Sequence, residues 1–204
     1  MRNVLRILFC FVLFALPAFG AGPVKFGIHG GVGALNMPEP IKPAYGFGYG
    51  GGLHLDLSLV VVSFRVSGDY HVFPVDENQF RTILMQAQPN LNTSGFSVSG
   101  GSVKVLSVGV NGKFSFPIPI VSPYVTAGVG YSNLEQGDLT VTYQGQPLVG
   151  VPTTSSVNKA TLNAGVGVDL NLVFADLFVE ARYVLILAEG SSPGYVPITV
   201  GLTF

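Results

Sequence analysis

Apolar and polar positions alternate with a period of two along most of this chain. The last ten residues, YVPITVGLTF, show it most sharply: Val196, Ile198, Val200, Leu202 and Phe204 share one face, Pro197, Thr199, Gly201 and Thr203 the other. That period is the mark of a strand with one apolar and one small or polar face. It predicts strands over 24–35, 44–57, 61–73, 103–116, 124–134, 159–172, 177–187 and 195–204, eight in all. Each is long enough for a tilted strand to cross an outer membrane, which takes roughly 9–11 residues. Tight turns are expected near 58–60 and 174–176, with a Pro-rich turn over 117–123. Two long excursions, 74–100 and 135–158, interrupt the rhythm. Within the first, Asp76 is placed to cap a short helix with Phe80, Ile83, Leu84 and Ala87 on one side. The second holds its own alternating pair, 139–143 and 147–151 around Gln144, Gly145 and Gln146, and is expected to continue the wall as a hairpin.

The alternation sorts the charges. Lys25, Arg65, Lys113 and Arg182 fall on the small or polar face, as do Asp56, Asp69, Asp169 and Glu180. Four cations against four anions is neutral. Asn111, Asn163 and Asn171 share that parity, and so do His29, His54 and His71. Eleven glycines do as well: Gly27, Gly31, Gly33, Gly46, Gly48, Gly50, Gly52, Gly128, Gly130, Gly165 and Gly167. On the apolar face, Tyr45, Tyr49, Tyr70 and Tyr131 lie near one end of the strands, with Phe26, Phe114, Phe116 and Phe204 near the other. Lys104 is the only charge expected on that face.

Composition narrows the class. The chain is 48% hydrophobic and 10% charged, an awkward surface for a water-soluble domain. Beyond residue 20, however, no apolar run reaches the ~18 residues of a spanning helix. A closed membrane barrel reconciles the two, because lipid touches only every second residue and closure pairs every backbone group. Residues 1–20 read as a secretory leader: Arg2 and Arg6, an apolar stretch from Ile7 to Leu16, then Ala18 and Gly20 at a small-residue cleavage site. That leaves 21–204 as one barrel domain. The single cysteine, Cys10, goes with the leader, so no disulfide or cysteine metal site is expected, and no cofactor. Removing Arg2 and Arg6 from ten basic residues leaves eight against eleven acidic ones, a balance of −3, which excludes a nucleic-acid footprint.

These features resemble the eight-stranded OmpA/OmpX-like outer-membrane β-barrels: the alternation, the aromatic positions and the terminal Phe204, which in such proteins is read by the barrel-assembly machinery. The resemblance covers 21–204. It implies an all-β, antiparallel up-and-down barrel in the cell outer membrane, monomeric and non-enzymatic, with both termini in the periplasm and the two excursions outside. It also implies contact with outer-membrane lipid and lipopolysaccharide. Two departures stand out: there is no Trp for the interfacial girdle, and no soluble peptidoglycan-binding domain follows.

A barrel of eight strands has an interior just wide enough for side chains to fill. The eight inward charges are therefore expected to form a polar plug, with a narrow pore lined by the same residues as the rival. The inward histidines, beside Asp and Ser, are the only hint of acyl transfer, and small barrels that modify lipid A supply the precedent. The inward glycines admit two readings: room for large side chains opposite, or a pocket for a lipid at the outer half, which packing around Phe73 and Val184 would remove. An extracellular ligand bound by the excursions is the remaining partner.

Overall fold

The computed structural model describes residues 23–36, 45–59, 61–87, 95–116, 118, 120–144, 146–151, 155–172, 174–188 and 192–204. The expected leader lies outside them, as does the Pro-rich stretch over 37–43.

The strands are β1 Val24–Asn36, β2 Phe47–Ser58, β3 Val62–Phe73, β4 Phe96–Gly100, β5 Val103–Ser115, β6 Val121–Gln136, β7 Leu139–Tyr143, β8 Gln146–Val151, β9 Ser155–Asn171, β10 Asp176–Ile186 and β11 Gly194–Thr203; one helix, α1, spans Glu77–Ala87. Eight of them close into a barrel in the order β1-β11-β10-β9-β6-β5-β3-β2, every pair antiparallel. Closure runs from Gly27 opposite Thr203 to Asn36 opposite Gly194. No lateral backbone edge is left in the ring.

Parity holds around the wall. Along β3, Ser63, Arg65, Ser67 and His71 are buried while Val62, Phe64, Val66 and Tyr70 are exposed. On β6 the exposed column from Tyr131 to Val121 covers ten residue steps. At ~3.3 Å per step and a ~40° tilt this is ~25 Å, the height of a hydrocarbon band.

Several predicted boundaries moved, among them the start of the sixth strand, at Ser155 rather than 159. The fifth strand begins at Val121 rather than 124, with Pro123 inside it opposite Val168, and runs on to Gln136. That extension puts Glu135 on the outer face beside Lys104, their charged atoms 3.7 Å apart, so Lys104 is not the only charge there. The second strand begins at Phe47 rather than 44. Ahead of it Tyr45 bridges Val75, one residue out of step with Tyr49 opposite Val72. A one-residue slip turns a side chain to the other face. Tyr45 accordingly packs against the buried interior cluster instead of joining an outer girdle. Gly46, expected inward, sits next to Asp76.

At the end away from the termini the wall carries on. α1 is capped by Asp76, whose Oδ1 accepts the amides of Asn78 and Gln79 at 3.0 and 3.1 Å. The expected hairpin is present as β7 and β8, joined by β4, which the alternation did not suggest, in the order β4-β7-β8. Its register continues the β5–β6 ladder: Val103 faces Gln136, and Gly100 faces Leu139. Between them Gly100 and Gly101 take φ of 80° and 68°, and a Cβ on Gly100 would lie 2.1 Å from the Asp138 carbonyl. Only glycine fits there.

Candidate functional site

Among the described residues the lumen gathers the buried charged and aromatic groups, and it divides along the barrel axis. Nearest the termini, Lys113 Nζ lies 2.7 Å from Asp169 Oδ2 and 3.9 Å from the centre of the Tyr124 ring. Lys25 reaches Asp176 at 2.6 Å. These groups line a polar cavity of about 170 Å³ at that mouth. One layer deeper, Arg65 grips Asp56 with two hydrogen bonds of 2.7 Å, the bidentate geometry that suits a guanidinium. Its other side faces Glu180 at 3.9 Å, and its plane lies 4.6 Å from the Phe178 ring centre. Glu180 also pairs with Arg182 and accepts the Tyr124 hydroxyl at 3.0 Å. Arg65, Asp56 and Glu180 are each under 5% exposed, so the ionic cluster is taken almost wholly out of water.

Six of the eight inward charges thus meet one another: Arg65 with Asp56, Lys113 with Asp169, Arg182 with Glu180. The other two find partners outside the eight. Lys25 takes Asp176, which had been placed in a turn. Asp69 is held by His29 Nε2 at 2.6 Å and by the Ser67 hydroxyl at 2.8 Å. Asn171 donates to Ser122. Asn111 is 1% exposed and neither of its amide atoms has a partner among the described residues. Tyr124 and Phe178, the rings against which the cations lie, were missed as site residues. Inward parity was their only sequence signal, and many other positions share it.

The histidines form a chain rather than a converging set. His29 Nδ1 faces His54 Nδ1 at 3.3 Å, and His54 Nε2 meets the Thr203 hydroxyl at 3.0 Å. His71 lies higher, against Phe73 and Tyr195. It lines an internal void of about 20 Å³ together with His29, Asp69 and Arg182. Ser67 donates to Asp69, so no serine–histidine pair is formed there.

Beyond His71 the filling changes character. Leu35, Phe73, Val103, Val105, Val184, Ile186 and Tyr195 pack as a buried apolar cluster, with Tyr45 and Leu134 against it. Phe73 and Val105 are fully buried. The glycines are the counterpart of these large groups. A Cβ on Gly48 would lie 2.3 Å from Phe73 Cδ1, one on Gly27 2.1 Å from His54 Nε2, and one on Gly167 2.3 Å from Tyr124 Cζ. The packing that removes a lipid pocket from the outer half is therefore present. Gly27, Gly48 and Gly167 make room for rings.

A closed ring of eight antiparallel strands, apolar outside and polar or tightly filled within, defines a transmembrane β-barrel of the outer-membrane type. The sequence model of the outer membrane protein beta-barrel domain matches residues 7–204, and the chain belongs to that family. It resides in the cell outer membrane. Neisserial surface protein A is similar in structure, with a TM-score of 0.57 and 14% identity over 89% of this chain and 96% of that one. The N-terminal barrel of Pseudomonas aeruginosa OprF gives 0.48 and 14% over 90% and 98%. Yersinia pestis Ail, crystallised with the heparin analogue sucrose octasulfate, gives 0.47 and 16% over 89% and 99%. At 14% identity the likeness to Neisserial surface protein A speaks to fold alone. No curated protein matches the chain in sequence.

Proposed function

We propose that this chain is a sealed surface barrel, in which Lys25, Asp56, Arg65, Asp69, Lys113, Asp169, Glu180 and Arg182 plug the lumen and the excursions 74–100 and 135–158 do the work outside. The observation that carries this reading is the two-part filling: ionic layers below, an apolar cluster above, and between them a void of about 20 Å³. Such a void has room for about one water molecule. A hydrated ion needs a wider path. Burying paired charges is tolerable only with good geometry, and the Arg65–Asp56 fork has it.

The rest of the reading is drawn from the sequence and from the class of barrel. Residues 1–20 are a removed leader, the termini lie in the periplasm, and Phe204 is the signal taken up by the barrel-assembly machinery. The chain works as a monomer, since the closed ring offers no strand edge. It is not an enzyme: a serine nucleophile needs a base to take its proton, and Ser67 is bonded to the carboxylate instead of to a histidine. Its outer wall contacts membrane lipid and lipopolysaccharide, and the β4-β7-β8 sheet presents the face for an extracellular ligand.

Planar-bilayer recording of the purified barrel tests the plug, with no steady current expected. A stable open conductance would instead assign the chain to the pores. Mass spectrometry of lipid A from cells with and without the chain tests the absence of catalysis, and a shift dependent on the chain would overturn it. Replacing 139–151 by a short turn should abolish any adhesion of whole cells while the barrel still assembles.

A further inference from the structure

The three turns that join β2 to β3, β5 to β6 and β9 to β10 read SLVV, FPIPI and LVFA. Short hairpin turns facing water are usually built from Gly, Asn, Asp, Ser and Pro. These contain no charge, and Ser58 is their only hydrogen-bonding side chain. Four of their apolar side chains are exposed: Leu59 at 59%, Ile118 at 51%, Ile120 at 72% and Phe174 at 78%. Ile120 holds a φ of 75°, a region that β-branched residues avoid, while its carbonyl accepts the Asn171 amide at 2.9 Å and ties the turn to the end of β9. Strain kept at an exposed apolar residue points to a task for it.

We propose that these turns are seated among the phospholipids of the adjoining leaflet, at the level of the glycerol backbone and first methylenes. Three observations select lipid over a periplasmic protein. The turns follow one another along six of the eight strands of the ring, β9–β10, β5–β6 and β2–β3, an arc wider than a protein docked on one side would cover. They adjoin the lipid-facing wall: Leu59 follows Leu57 by strand parity while also lining the polar mouth, and Ile120 stands next to the exposed Val121 at the end of β6. They also lie just beyond the ~25 Å hydrocarbon height covered by β6, where the headgroup region begins. The polar mouth inside the ring, with Lys25 and Asp176, fixes the depth, since those partly exposed charges keep contact with water. Which leaflet is involved rests on the orientation proposed above; the embedding does not.

The chain has no tryptophan, so single replacements report cleanly. Leu59→Trp, Ile118→Trp and Phe174→Trp, each folded into phosphatidylcholine vesicles with or without bromine high on the acyl chains, would be compared with Val129→Trp in the wall and Met85→Trp on α1. Folding of each variant is checked by its heat-modifiable gel mobility. The turn positions should emit to the blue of Met85→Trp and be quenched by brominated lipid at least half as strongly as Val129→Trp. Because the vesicles hold no other protein, quenching by aqueous acrylamide equal to that of Met85→Trp in the variants that fold would overturn the proposal. Should none of the three fold, the same comparison with a nitroxide on Phe174→Cys, relaxed by oxygen or by an aqueous nickel chelate, decides it on the same terms. Labelling of Met85→Cys on intact cells tests orientation separately.

Discussion

The two halves of the lumen share one backbone pattern and are filled in opposite ways. Toward the termini the inward positions carry charges; Arg65 and Asp56 are 3% and 4% exposed, yet each is matched by fixed hydrogen bonds. Toward the outside the same parity carries Phe73, Val105, Ile186 and Tyr195, which need little beyond shape. The difference teaches where this barrel can be broken. A buried charge that loses its partner leaves an uncompensated ion, whereas a misfit in the apolar half can relax into neighbouring side chains.

The largest effect is expected in the ionic half. Asp56→Ala should cost about 3–5 kcal/mol, because it strands Arg65 beside Glu180. Urea unfolding of the barrel in lipid vesicles measures it. Replacing both partners, Arg65→Met with Asp56→Leu, should recover most of that loss, since both charges leave together. A double variant as weak as the single one would show that packing, and not charge, governs this half.

In the apolar half, Gly48→Ala should cost about 1–3 kcal/mol in the same assay, because the added methyl would lie 2.3 Å from Phe73 Cδ1. Adding Phe73→Leu should relieve part of it. If Gly48→Ala is neutral, the wall can move and the cluster is looser than the contacts imply. The smallest effect belongs to the mouth. Lys25→Met breaks a pair whose side chains are 32% and 22% exposed, and solvent screening should hold its cost to about 0–1 kcal/mol. A larger loss would mean that the 170 Å³ cavity is drier than its exposure suggests.

The comparison can also be cut across function. Phe73→Ala with Tyr195→Ala empties the outer half but leaves the ionic layers, so bilayer recordings should stay closed. A steady current from that variant would move the seal from the charges to the rings.

Glycine shows how far pattern reading reaches. Gly48, Gly27 and Gly167 were visible as small inward positions, and a pocket or a seat for a large neighbour fitted them equally. Phe73, His54 and Tyr124 decide between the two, and they come from other strands. Tyr45 is the converse: its parity was clear, and a one-residue slip opposite Val75 turned it inward. Such a slip costs the sequence pattern nothing and changes the side chain's surroundings entirely.

Except at the slip that turns Tyr45 inward, which residues face lipid and which face the lumen was settled by the chain itself, because a strand's side chains alternate wherever it lies and an outer membrane accepts only apolar ones. Partner choice belonged to the tertiary structure. Lys25 stands directly opposite Asp56 in the β1–β2 ladder, yet Asp56 is taken by Arg65 from β3 and Lys25 turns to Asp176. A charge in a closed ring can reach several strands, and the geometry of the whole circle selects among them.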